Sequence, residues 1–396
     1  MEKNLTITAA EMRGINRSAV LETIRLRGPI ARTQIANILQ VSLPTVIRVV
    51  DELIAEDLVK LTGDKEWSGG RKRPLLEFNS KGHVIIGVDM NESRLYGAVA
   101  DLAGNILTET FLPHQTRGVD SYEFLIEIIE KLLVFAQGTG KNIRGIGVGA
   151  PGITYYEQGI VHWAPTLAWR DFPLKEKLSE RFHLPVVLDN DVNLAALGEL
   201  WFGVGQGSNN LVLVIIGSGI GAGIIIDGGV YRGSHLTAGE VGFLLPDRSL
   251  LGVKREGYGA LEELTSGTSI AEKAKKILVG QLPEEQRLAL TAEDVFNAYQ
   301  HNEAWAKPIV LDSIDHLAQM VATLSVCFDP DCIVLSGSMG KFSDLLIDQI
   351  LARIDGVIPL NPKLVVSTLG HRASVMGIIV GILYNTSDFY QVRKLA

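Results

Sequence analysis

The chain runs to 396 residues, 46% of them apolar and 21% charged, with a net charge of −8. That balance excludes disordered and fibrous polypeptides, and the length exceeds what one core usually holds, so two or three domains are expected. No uninterrupted apolar stretch approaches twenty residues, and MEKNLTITAAEMRG lacks the basic-then-apolar layout of a signal peptide, so a cytoplasmic protein without a membrane span is expected. Only Cys327 and Cys332 occur, in CFDPDC, too few for a disulfide scaffold or a four-thiolate zinc site; they read as two buried thiols beside a turn.

Charge is unevenly spread. Residues 1–80 carry 12 Lys and Arg against 10 Asp and Glu, and the remaining residues 25 against 35. A mildly basic head on an acidic body suggests a small anion-binding module. In NRSAVLETIRLRG, Val20, Leu21, Ile24 and Leu26 are taken as one helical face, and Gly28-Pro29 stops that helix. ARTQIANILQ supplies a second short helix with Ile35, Ala36, Ile38 and Leu39. A third runs from Leu43 to about Glu56, with Ser42 as its cap, Pro44 in its first turn, and Val46, Val49, Val50, Leu53 and Ile54 on its buried face.

Two short helices across a tight turn make a helix-turn-helix, whose second helix offers its early residues, here Thr45 and Arg48, to a major groove. Val59–Thr62 and Pro74–Phe78 then read as a hairpin with a loose polar tip. In SGGRKRPLLEF, Gly69 and Gly70 permit close backbone approach, while Arg71, Lys72 and Arg73 suit phosphates or a narrow minor groove. Residues 1–80 are therefore expected to form a winged helix-turn-helix that binds DNA. Its candidate contacts are Arg32, Thr33, Pro44, Thr45 and Arg48 on the helices and Gly69, Gly70, Arg71, Lys72 and Arg73 on the wing. A winged helix used only for protein contacts is the alternative.

From residue 83 the texture changes to glycine-punctuated apolar strands. HVIIGVDM, RLYGAVADL and ILTETFLP read as a three-strand meander. A helix over about 120–137, the strand RGIGVGAPG, a helix over about 174–182 and the strand PVVLDND follow. The order then recurs with NLVLVIIGS, GAGIIIDG and VYRG, a helical insertion, CIVLSGSMG, a helix, KLVVSTLG and a last helix. Two such copies resemble the ribonuclease-H-like fold of sugar kinases and actin, with two lobes around a ligand cleft. The first α/β lobe is expected over 81–195, completed by the C-terminal helix at about 373–396, and the second over 196–372.

GSGIGAGIIIDGGVYRGSHLTAGEVGF, with GAPGI, LDNDVNLAALGE and GALEELTSG, resembles the signature of the ROK family of repressors, open reading frames and kinases. Together with the winged helix and GGRKRP, the resemblance covers nearly the whole chain and implies a sugar-responsive repressor with an α/β sugar-kinase-like body. Asp191 matches the general base of the family's kinases, Asn190 a hydroxyl partner, and Glu240 and Glu262 the carboxylates that grip the sugar. Gly152 and Thr166, the latter where an Asn is frequent, complete the candidate sugar site.

Three departures point away from catalysis. After Asp89, Met90, Asn91, Glu92 and Ser93 replace a glycine-rich phosphate turn. Phe243 stands where a His is common, and LGVKREGYGALEE lacks the cysteines of the family's zinc loop, so no zinc is expected. Gly217, Ser218, Gly219, Gly221 and Gly223 are read as a tight turn between two strands, Ser336 in IVLSGSMG as retained structure, and His162 and His235 as ordinary hydrogen-bonding residues. The expectation is a catalytically silent body without cofactor or metal, in a homodimer or homotetramer whose partners are operator DNA and a sugar. An active ATP-dependent sugar kinase with a regulatory head, and a repressor controlled by a protein partner, are the alternatives.

Overall fold

The computed structural model describes residues 9–68, 71–90, 94–113, 121–255 and 257–383. Three helices open the chain, α1 (Ala9–Arg27), α2 (Arg32–Leu39) and α3 (Leu43–Ala55), followed by an antiparallel pair, β1 (Val59–Ser68) and β2 (Arg71–Phe78). Val46, Val49, Val50 and Leu53 of α3 are fully buried against α1 and α2, and Ile54 is half-buried. Ser42 caps α3 as expected, its Oγ accepting from the Thr45 N–H at 3.3 Å, with Pro44 in the first turn. Two expectations need correcting here. Leu26 is 64% exposed, because it lies two residues past Ile24 and therefore about 200° round the helix from the buried face. The hairpin extends beyond Thr62 and Pro74: backbone pairing continues to Ser68 opposite Arg71, past a register shift between Leu61 and Lys65. A two-stranded ribbon needs no apolar alternation to pair, so its polar half was silent in the sequence.

The body contains two sheets of the same design. In the first, β3 (His83–Met90), β4 (Arg94–Asp101) and β5 (Ile106–Pro113) form the meander. Helix α4 (Ser121–Gly138) then leads to β6 (Asn142–Ala150). Next come three short strands that the sequence reading passed over, β7 (Ile153–Tyr155), β8 (Ile160–Ala164) and β9 (Trp169–Phe172), which pair only with one another. Helix α5 (Leu174–Phe182), β10 (Val186–Asn190) and α6 (Asp191–Phe202) complete this part.

The second sheet uses β11 (Leu211–Ile216), β12 (Ile220–Ile226) and a two-residue β13 (Gly229–Val230). A helical insertion follows, of α7 (Glu262–Thr265), α8 (Gly267–Ile277), α9 (Glu284–Leu288), α10 (Ala292–Gln300) and α11 (Ala306–Phe328). Then come β14 (Cys332–Ser336), α12 (Ser343–Ile354), β15 (Leu364–Val366) and α13 (Ala373–Leu383). The strand orders are β5-β4-β3-β6-β10 and β13-β12-β11-β14-β15, each an antiparallel meander joined to two parallel strands, so the duplication read from the sequence is present.

Helix α6 crosses α13 at van der Waals distance. A Cβ on Gly377 would collide with the Leu194 carbonyl, and one on Gly198 with that of Ala373. The expected boundary at 195/196 lies inside α6, because this helix packs on strands of both sheets and belongs to neither alone. Helix α11 is long and apolar enough to span a membrane by length and composition, which the sequence reading overlooked. Ile309, Val310, Ile314, Leu317, Met320, Val321 and Leu324 bury one side of it in the second lobe. Cys327 is exposed and Cys332 buried, so only one of the two thiols expected inside is there.

The head is packed onto the body rather than hung from it. Its core is continuous with Leu102 and Trp201, and the Arg25 guanidinium lies 4.2 Å above the Trp201 ring. The Asp57 carbonyl accepts from Asn79 Nδ2 at 3.0 Å and lies 2.8 Å from buried His83 Nε2, while Arg144 reaches Glu56 at 3.3 Å.

Candidate ligand cleft and nucleic-acid face

A cavity of about 190 Å³ opens between the two sheets. Six sequence-predicted residues line it: Gly152, Thr166, Asn190, Asp191, Glu240 and Glu262. Each is placed by a distinct piece of backbone. Asn190 ends β10 and caps α6, its Oδ1 accepting from the Asn193 N–H and its Nδ2 donating to the Gly152 carbonyl, both at 3.0 Å. Its side chain, expected to serve a ligand freely, is thus half committed to the fold, leaving one N–H and one lone pair. Asp191 is the first residue of α6, with Oδ1 2.9 Å from the Val192 N–H. Glu240 precedes the turn Val241–Phe243, and Thr166 sits in the turn after β8. Glu262 opens α7, and its Oε2 accepts from the Gly259 N–H at 3.3 Å.

Carboxylates dominate the electrostatics. A Cβ on Gly149 would lie 3.2 Å from Asp191 Cα, 3.3 Å from Asp89 Oδ1 and 2.5 Å from Ser374 Oγ, so β3, α6 and the start of α13 converge there. Burial raises the Asp89 carboxyl from 3.8 to about 6, opposed by Ser374 and Arg94. Asp191 is pushed well above the usual range by burial and then by the charges of Asp89 and Glu240, against a backbone hydrogen bond at Val192. Glu240 is raised by burial and by Glu262. Like charges confined in a poorly solvated space hold their protons longer than they would in water.

Two features escaped sequence reading. Arg232 forms an ion pair with Asp189, the buried residue before Asn190, and its guanidinium lies 4.1 Å over the Tyr156 ring. The partners stand 43 positions apart, and no local pattern links them. Glu262 also stands in front of the glycine turn between β11 and β12, where a Cβ on Gly219 would run into its Oε1. That turn connects adjacent antiparallel strands, as expected, and Gly217 N–H donates to the Gly219 carbonyl at 2.9 Å. Ser336 is buried at the end of β14. His162 Nδ1 lies 2.6 Å from Asp171 and its ring stacks on Tyr155, while His235 is exposed; neither lines the cavity. Among the described residues no group of three or more His, Cys, Asp or Glu is arranged to hold a metal. Asn91, Glu92 and Ser93 lie outside the described residues; Met90 is buried and lines the cavity wall.

On the head, Pro44 and Arg48 are exposed on the outer face of α3 and Thr45 is half-buried, with its hydroxyl 2.8 Å from Ser42 Oγ. Arg32 pairs with the exposed Asp51 at 3.2 Å, and Thr33 beside it is half-buried. Ile47, which the sequence reading did not single out, is 40% exposed between Pro44 and Arg48. Gly69 and Gly70 lie outside the described residues, as do the side chains of Arg71, Lys72 and Arg73.

The profile of the ROK family matches residues 85–382. A xylose repressor from Caldicellulosiruptor bescii is 31% identical over 391 residues, covering 96% of this chain and 98% of its own. A glucokinase from Halalkalibacterium halodurans is 32% identical over 314 residues, covering 74% of this chain and 92% of its own. Among solved structures, a ROK family transcriptional regulator described as a homolog of the E. coli MLC protein superposes with a TM-score of 0.81 at 25% identity, covering 97% of this chain and all of its own.

Proposed function

The chain belongs to the ROK family, and on that premise we propose that it is a sugar-responsive transcriptional repressor, binding operator DNA through its head and a sugar in the cleft. The observation that carries this reading is coverage. The repressor and the regulator match the chain from head to body, whereas the glucokinase leaves about a quarter of it unmatched. The head supports DNA binding by its form: three helices and a paired hairpin, with Pro44, Ile47 and Arg48 on the outer face of α3. Two such heads in a dimer would meet successive major-groove faces of a pseudo-palindrome.

The coupling runs along α6. Its first residue lines the cleft, and its last turn carries Trp201 beneath Arg25, with Phe202 lining a cavity shared with Ile24 and Gly28 of the head. A sugar that alters lobe closure shifts this helix and therefore the head. It acts only through unequal affinity for the two conformations; a hundredfold preference supplies about 2.7 kcal/mol.

The body reads as catalytically silent and free of cofactor. Met90 fills the cavity wall beside Asp89, Glu262 occupies the front of the Gly219 turn, and Phe243 with a cysteine-free 251–263 segment leaves nothing thiolate-like for zinc. One observation favours a second reading as an active sugar kinase: a buried Asp191 with a raised pKa at a helix start is what a general base requires. The deciding experiment measures binding of the full chain to its own promoter with and without sugars, alongside ATP turnover. Promoter binding that a sugar weakens or strengthens supports the repressor, and binding that no sugar alters sinks the sensing half. ATP turnover with a sugar that Asp191→Asn abolishes would establish the kinase.

A further inference from the structure

We infer that Ile47 is a specificity-determining residue of the head, reading the 5-methyl group of a thymine in the major groove, an inference that rests on the operator-binding reading above. Ile47 stands on the outer face of α3 and is 40% exposed. Pro44, Arg48 and Asp51 are exposed with it, and at 100° per residue the four fall within about 100° of the helix circumference. They occupy the first three turns of the second helix of the helix-turn-helix, the part that meets base edges.

The polar members of this stripe serve other ends. Asp51 is paired with Arg32 at 3.2 Å, and Arg48 has the charge and donors for a phosphate or a guanine. Ile47 has no donor, acceptor or charge, so a phosphate gives it nothing to bind. Of the four bases, thymine alone offers the major groove an apolar group, its 5-methyl. Covering that methyl with Ile47 takes apolar surface of both partners out of water.

The placement suits this task. Val46, Val49, Val50 and Leu53 form the buried face of α3, and Ile47 lies outside it. Among the described residues of the head, the other large apolar side chains left exposed are Met12 and Leu26 on α1 and Leu61 on β1, so on α3 Ile47 stands alone. Branching at Cβ leaves essentially one χ1 rotamer in a helix, so its methyl groups are fixed before DNA arrives and little side-chain entropy is lost on contact. Each half-site then contains a thymine facing Ile47.

Uracil differs from thymine only in lacking this methyl group, which gives a direct test. Fluorescence anisotropy measures the affinity of the full chain for its own promoter, prepared once with thymine and once with uracil throughout. The wild type is expected to bind the uracil duplex about fourfold more weakly for one engaged head, the scale of one buried methyl group, and about fifteenfold for two. Ile47→Ala should lose this discrimination and Ile47→Val should keep it. Both should retain the wild-type salt dependence, because Ile47 neutralises no phosphate. Thermal melting confirms that the variants are folded. A wild-type ratio below twofold, or a ratio for Ile47→Ala equal to that of the wild type, overturns the inference and leaves operator binding standing. A wild type that binds its promoter no better than an unrelated duplex removes the operator-binding reading and this inference with it.

Discussion

The two ends of helix α6 are built from opposite materials. At the start, Asp191 faces Asp89 and Glu240 across little solvent, and Asp189 just before it needs Arg232 from the second lobe to be buried at all. At the end, the Arg25 guanidinium of α1 is laid over the Trp201 ring, and Phe202 lines a cavity whose other wall includes Ile24 and Gly28. One end is governed by charge and is therefore sensitive to protons and polar ligands; the other is governed by packing and therefore transmits position. A helix sealed against α13 at Gly198 and Gly377 gives the two ends a common rigid body.

Removing the charge balance at the first end has the largest expected effect. Asp189 is 2% exposed, so Arg232→Leu leaves a buried carboxylate without its counter-ion, and a loss of about 3–5 kcal/mol is expected in urea unfolding. Asp189→Asn combined with Arg232→Leu should recover much of it, since the uncompensated charge rather than the missing bond is the cost. A double variant no more stable than the single one would refute this account of the first end. Next comes the rod itself. Gly377→Leu drives a side chain into the backbone of α6 and is expected to cost on the order of 3 kcal/mol in the same measurement. Wild-type stability in this variant would mean that the two helices are not held in contact.

Proton linkage separates the ends again. The Asp89 carboxyl titrates near 6 in the folded protein against 3.8 in an unperturbed chain, and Asp191 is raised beside it. Between those values the folded state binds more protons than the unfolded, so stability falls as pH rises through the window from about 4 to 6. At about 1.4 kcal/mol per pKa unit, Asp89 alone removes about 2–3 kcal/mol. Thermal melting from pH 4 to 8 should show this decline, and Asp89→Asn should flatten it. A curve that rises over this interval in the wild type and is unaltered by Asp89→Asn would contradict the cleft electrostatics.

The sequence disclosed these regions unequally, for physical reasons. Glycine-punctuated apolar strands and a carboxylate at a strand–helix junction are local patterns, so the duplicated sheets and the start of α6 were legible, whereas Gly152, Thr166, Glu240 and Glu262 were reached only through the resemblance of their motifs to a family. Ser42 and Pro44 marked the start of α3 because capping chemistry is local too. What stayed hidden depends on distance in the chain. The Arg232–Asp189 pair, Glu262 lying over Gly219, and Trp201 beneath Arg25 each join segments that only the fold brings together. The strands β7 to β9 are three to five residues long, too short for alternation to register. Leu26, two positions past Ile24, falls off the buried face by helical phase, and the Arg32–Asp51 pair joins residues 19 positions apart.

The smallest change is the most discriminating. Arg25→Leu removes the cation above the Trp201 ring and also the partner of Glu22, which it holds at 2.8 Å, so a loss of about 1–2 kcal/mol is expected. Sugar affinity in the cleft should be unchanged, since Arg25 lies at the far end of the 12-residue α6, about 18 Å away. If α6 carries the signal by packing, the sugar-induced change in promoter affinity should shrink while both separate affinities remain near wild type. Fluorescence anisotropy of a labelled promoter, titrated with and without sugar, reads this directly. An Arg25→Leu protein that responds to sugar as fully as the wild type would place the transmission elsewhere, among contacts such as Glu56–Arg144, Asp57–His83 and the apolar packing at Leu102.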